Sequence, residues 1–160
     1  MQIKTVIKSK VIFSFIVGVL SFSTVSFSAH SDSVFDPQRA NKAGADDYGM
    51  KPYVMAFLKR GPNRDRTKEQ AQQLQRAHLD NITRLANEGK LILAGPFLDD
   101  GELRGIYIFN VTRVEEAKAL TETDPAIQAG SLVLELLPWY GSAALTELHE
   151  LHKVMAKKAI

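Results

Sequence analysis

Residues 67–97 read TKEQAQQLQRAHLDNITRLANEGKLILAGPF, and the fold turns on how this stretch divides. Thr67 and Gln70 have capping-box spacing: a hydroxyl to accept from an orphan N–H, and an amide three residues on to reach back. Ala71, Leu74, Leu79, Ile82, Leu85 and Ala86 follow at helical spacing, and Gly89 stands where a left-handed terminator belongs. Beyond it, Leu91–Phe97 is short, apolar and bounded by turn residues, as a strand is. Upstream, Pro52–Leu58 is a β-prone run ended by Gly61-Pro62-Asn63. Downstream, the turn Asp99–Gly101 joins Leu91–Phe97 to Leu103–Val111 as a hairpin. Thr112 and Glu115 repeat the capping-box spacing ahead of a second, shorter helix through Val114, Ala117 and Leu120. Asp124-Pro125 then opens a further helical turn, and Leu132–Trp139 is the last strand.

The order β-α-β-β-α-β predicts an α+β, ferredoxin-like domain over residues 52–141, with two helices on one face of an antiparallel sheet. Apolar residues at both strand parities leave the other face too hydrophobic for water, which predicts a homodimer. Residues 142–160 are expected to add a C-terminal helix, with Leu145, Leu148, His152 and Met155 on one stripe. Ahead of the domain, residues 29–51 hold few large apolar side chains and are expected to form a polar tether.

Residues 1–28 have the form of a secretory signal, with Lys4, Lys8 and Lys10 before an apolar run and then small residues to Ser28. Cleavage there predicts a periplasmic or secreted protein with no stable membrane insertion. The whole chain carries 20 Lys and Arg against 18 Asp and Glu. Without those three lysines the balance becomes 17 against 18, so the net charge moves from +2 to −1. A near-neutral domain with no basic block argues against nucleic acid as a partner. The absence of cysteine excludes disulfides, thiolate metal sites and a cysteine nucleophile.

His78 lies on the apolar stripe of the long helix, four residues after Leu74 and four before Ile82, so its ring faces the sheet. A buried imidazole must find a partner, and a satisfied core histidine is one reading of it. A general acid–base or ligand role is the other. Asp124 likewise reads as an N-cap or as a functional carboxylate. His149 and His152 stand three apart rather than at the H-E-x-x-H spacing of zinc peptidases, and no third ligand is evident, so no metal or other cofactor is expected.

The segment from His78 through Gly89-Lys90-Leu91 to Ala94-Gly95-Pro96, the hairpin, and Thr123-Asp124-Pro125 through Ala129-Gly130-Ser131 together resemble the YCII-related (YciI-like) family over about residues 53–139. That resemblance implies a ferredoxin-like fold assembled as a dimeric α+β barrel, with His78 and Asp124 as the paired active-site residues. A carboxylate on one imidazole nitrogen would fix the tautomer and leave the other nitrogen to move a proton, without a cofactor. The expected activity is lyase or isomerase chemistry on a small organic substrate. Phe97, Tyr107 and Phe109 are candidate pocket aromatics, Arg104 a candidate for an anionic group, and any of them can instead be a core or surface residue. The alternative function is a non-catalytic dimer that binds a small molecule or a protein through the same cleft.

Overall fold

The computed structural model describes residues 35–158. The expected signal segment, 1–28, lies outside the described residues. Four strands, β1 (Met50–Arg60), β2 (Leu91–Pro96), β3 (Leu103–Phe109) and β4 (Leu132–Ser142), form one sheet in the order β2-β3-β1-β4. Every neighbouring pair is antiparallel. With α2 (Lys68–Asn87) between β1 and β2, and α3 (Val114–Thr121) and α4 (Pro125–Gln128) between β3 and β4, this is the α+β, ferredoxin-like architecture.

The helix α2 begins at the capping box read from the sequence. The Gln70 N–H donates to Thr67 Oγ1 at 3.3 Å, and the Thr67 N–H donates to Gln70 Oε1 at 3.0 Å. It ends at Gly89, whose φ of 68° lets the Lys90 N–H return to the Leu85 carbonyl at 2.9 Å. Its C-terminal half supplies Leu85 to a core with Val54, Ala56, Leu58, Tyr107 and Phe109 from the sheet and Ala117 from α3. Each large apolar side chain buried there contributes about 1.5–3 kcal/mol. The N-terminal half of the same stripe, Leu74, His78 and Leu79, stays half-buried because it lines a cavity.

The other face of the sheet is also apolar. Met55, Phe57 and Ile106 are half-buried there, and Val133 and Leu137 are exposed on β4. Tyr53 and Ile108 on that face are buried, and the C-terminal elements lie against β1 and β2.

Four local features differ from the sequence expectation. The tether expected over 29–51 contains α1 (Pro37–Ala43), capped by the Asp36 carboxylate and ended by Gly44 at φ 71°. Its anchors are remote in sequence: Arg39 forms a two-pronged ion pair with Glu147, and Tyr140 donates to Asp46. The second capping box does not form, since α3 is preceded by Arg113 with no side-chain cap. Strand β1 starts at Met50 and runs through Pro52, tolerated because β1 there pairs with β4 alone and meets β3 only from Val54 onward. The C-terminal stretch opens as a 3-10 turn, Ala143–Glu147, before α5 (Leu148–Met155).

Candidate functional site

The site begins with a short helix start. Asp124 precedes Pro125, and its Oδ1 accepts from the Ala126 N–H at 2.9 Å, so it is the N-cap of α4. The same carboxylate also meets His78. His78 Nδ1 lies 2.8 Å from Asp124 Oδ2 and 3.0 Å from Oδ1. Capping and pairing are thus compatible, because Oδ1 accepts from the α4 backbone while Oδ2 makes the shorter contact with the imidazole. The Asp124 side chain is 1% exposed and that of His78 12%, so the pair is dry on the carboxylate side and opens to solvent only through the ring.

Tyr107 on β3 completes the cluster. Its hydroxyl donates to Asp124 Oδ2 at 3.3 Å and stands 3.4 Å from His78 Nε2. The ring is stacked on that of His78 at a centroid distance of 6.3 Å and meets Phe109 edge-on at 5.7 Å. Burial first, then the Asp124 charge and hydrogen bond, push the Tyr107 phenol far above its ordinary pKa, so it remains a neutral donor. A carboxylate can accept from Nδ1 only if that nitrogen carries the proton, which in the neutral ring leaves Nε2 with its lone pair.

His78 and Tyr107 stand at the wall of a cavity of about 750 Å³ between the N-terminal half of α2 and the sheet. That volume falls within the range of small-molecule sites, about 300–1,000 Å³. Leu74, Leu79, Ile82 and Pro96 give it apolar walls, and Arg64, Arg66 and Arg104 bring guanidinium groups. The loop between β1 and α2 is held by Gly61, where a Cβ would come within 2.3 Å of the Gly130 carbonyl oxygen. Arg66 reinforces this contact by donating to the carbonyls of Asn63 and Ala129 at 2.5 and 2.6 Å.

The residues singled out from the sequence therefore divide. His78, Asp124 and Tyr107 converge, and Arg104 lines the same cavity. Phe97 lies outside the cavity lining and is 41% exposed beyond β2, while Phe109 is fully buried in the core. Arg64 and Arg66 were not singled out: they sit in an aperiodic loop, and only the two arginines themselves, next to Gly61-Pro62-Asn63, signal it. Among the described residues no three His, Asp or Glu side chains are grouped to hold a metal ion.

The family model described as YCII-related domain matches residues 53–140, more than half of the chain. No curated protein matches it.

Proposed function

The chain belongs to the YCII-related family, and on that premise we propose that it is a cofactor-independent enzyme of lyase or isomerase type in which His78 moves a proton. The observation that carries the reading is the buried Asp124 carboxylate at 2.8 Å from His78 Nδ1, which orients the neutral ring with the Nε2 lone pair at the cavity wall. Nε2 takes a proton from the carbon next to a substrate carbonyl, and the electron pair moves into an enolate. The imidazolium then returns the proton to another carbon, or the enolate electron pair expels a leaving group from the neighbouring carbon and the imidazolium gives that group its proton. Asp124 stabilises the imidazolium while it exists, and Tyr107 acts as a positioning residue by donating to Oδ2. Such acid–base assistance is worth typically ~10²–10⁴-fold. The protein works, in this proposal, as an exported homodimer joined through the apolar sheet face.

Proton–deuterium exchange tests the chemistry before the natural substrate is known. The full chain is incubated in D₂O with a panel of small cyclic and α,β-unsaturated carbonyl compounds, and loss of carbon-bound proton signal is followed by NMR. The wild type is expected to accelerate exchange of a panel member, with a loss of ~10²–10⁴-fold in His78→Asn and Asp124→Asn at retained fold. Exchange undiminished in both variants contradicts the proposal. A rise in melting temperature with a panel compound and no exchange would instead favour a non-catalytic binding module.

A further inference from the structure

The cavity beside His78 has an uneven charge distribution. Arg64, Arg66 and Arg104 line it, whereas no Asp or Glu occurs among the described residues that line it. Asp124 sits behind the imidazole with its oxygens committed to His78, Tyr107 and Ala126.

The three guanidiniums are not equivalent. Arg66 spends both terminal nitrogens on the carbonyls of Asn63 and Ala129, and so it fixes the loop. Arg64 makes one long contact, from Nη1 to the Ser131 carbonyl at 3.3 Å. Arg104 directs only Nη1 to the hairpin, at 3.2–3.3 Å from the carbonyls of Asp99 and Gly101 and from Asp100 Oδ1. In both Arg64 and Arg104 the Nε and Nη2 donors have no partner among the described residues. Those two N–H groups are parallel and form the fork that matches two oxygens of one anionic group. Arg39 uses this same edge on Glu147, Nε to Oε1 and Nη2 to Oε2. The Asp100 carboxylate nearest Arg104 is shared with Arg60, so it compensates Arg104 only in part. Beyond the arginines the wall is hydrocarbon from Leu58, Leu74, Leu79, Ile82 and Pro96, interrupted by neutral polar side chains such as Gln75 and Thr83.

We propose that this cavity binds small organic acids, with the terminal carboxylate held by Arg64 and Arg104 and an apolar or conjugated body lying along α2 towards His78 Nε2. The inference deepens the acid–base reading of the same site and rests on it for the meaning of the orientation, but binding itself does not need turnover. Apolar walls around guanidiniums with open forks strengthen attraction for an anion, and a neutral compound of the same shape leaves those forks unfilled. The anchored carboxylate fixes which carbon meets Nε2.

The test is equilibrium binding by the full chain, read by NMR or calorimetry. The probes are benzoate, cinnamate and sorbate, their neutral amides, and phenyl phosphate. At least one carboxylate is expected to bind saturably in the millimolar range or tighter, and about tenfold or more tighter than its amide, the scale of a charge-assisted hydrogen bond. Arg64→Gln and Arg104→Gln should each weaken that carboxylate about tenfold and leave the amide unchanged. Arg113→Gln, which pairs with Glu116 and lies outside the cavity lining, should change neither. His78→Asn should leave carboxylate affinity within about twofold, so loss of turnover and loss of anion binding are read separately. Equal affinity for acid and amide, no saturable binding by any carboxylate, unchanged affinity in both arginine variants, or loss in His78→Asn as large as theirs would overturn the proposal. Phenyl phosphate binding more tightly than every carboxylate would overturn the carboxylate assignment in favour of a phosphate ester.

Discussion

Replacing Asp124 by asparagine changes one atom of the carboxylate and should reverse the imidazole. Oδ1 lies 2.9 Å from the Ala126 N–H and 3.0 Å from His78 Nδ1, whereas Oδ2 makes the shorter contact with Nδ1, at 2.8 Å, and accepts from the Tyr107 hydroxyl at 3.3 Å. An asparagine that keeps the cap through its carbonyl must place its NH₂ where Oδ2 stood. That group can only donate, and at the shorter 2.8 Å contact it favours a lone pair on Nδ1, which moves the ring proton to Nε2, at the cavity. The base is then at the wrong end of the ring, and any His78-dependent turnover should fall by about 10²–10⁴-fold. The Tyr107 hydroxyl also loses its acceptor in a buried setting, which costs about 1–3 kcal/mol of stability. Asp124→Ala should cost about 1 kcal/mol more by deleting the α4 cap. Urea unfolding followed by the fluorescence of Trp139, the one tryptophan of the chain, measures both. A double-mutant cycle of His78→Ala with Asp124→Ala should give a coupling of about 1–3 kcal/mol. Additivity within about 0.5 kcal/mol, or an Asp124→Asn protein as stable and as active as wild type, would refute the reasoning.

The Tyr107 phenol, held high by burial and by Asp124, keeps its proton in the folded chain at a pH where the unfolded chain has lost it. Its contribution is therefore complete below about pH 10 and declines as pH rises beyond that, by up to about 1.4 kcal/mol per unit. Tyr107→Phe should flatten the urea midpoint between about pH 9 and 11, while Tyr53, also raised by burial, titrates in both proteins; identical slopes would contradict this. Gly61→Ala would press a Cβ to 2.3 Å from the Gly130 oxygen and 2.6 Å from the Ser131 carbonyl carbon, and should cost about 1–3 kcal/mol in thermal or urea unfolding through a backbone that cannot yield locally. On the open sheet face, light scattering should return a dimer mass for wild type and a monomer mass for Phe57→Glu, since a charge facing Met55, Ile106 and Leu137 removes the reason to associate. A wild-type mass that stays monomeric as concentration rises would contradict the shared-face arrangement.

How much of this was legible in the sequence depends on whether the signal was local. The Thr67–Gln70 capping box, the Gly89 terminator and the Asp124-Pro125 start are each written within a few residues, and each forms as read. The ring of His78 faces inward because Leu74 and Ile82 share its stripe. What escaped depends on remote partners. Residues 37–43 have too little apolar surface to signal a helix, and α1 is held instead by Arg39 on Glu147, more than a hundred residues away. Arg64 and Arg66 carry no periodicity, and they reach the cavity because Gly61 packs on Gly130. Thr112 fails as a cap although its spacing to Glu115 is right, since the helix starts one residue later than that spacing requires. The choice between cap and functional carboxylate for Asp124 was open in the sequence because the one carboxylate serves both α4 and His78 on α2, which only the tertiary structure displays.

In the neutral ring, the buried Asp124 carboxylate should hold the His78 proton on Nδ1 and leave a lone pair on Nε2 at the cavity. Nitrogen-15 NMR of the His78 side chain in its neutral form, in wild type and in Asp124→Asn, reads the tautomer directly. The geometry predicts a protonated Nδ1 and a bare Nε2 in wild type, exchanged in the variant. A wild-type ring with its proton on Nε2, or a tautomer that ignores the substitution, would contradict it.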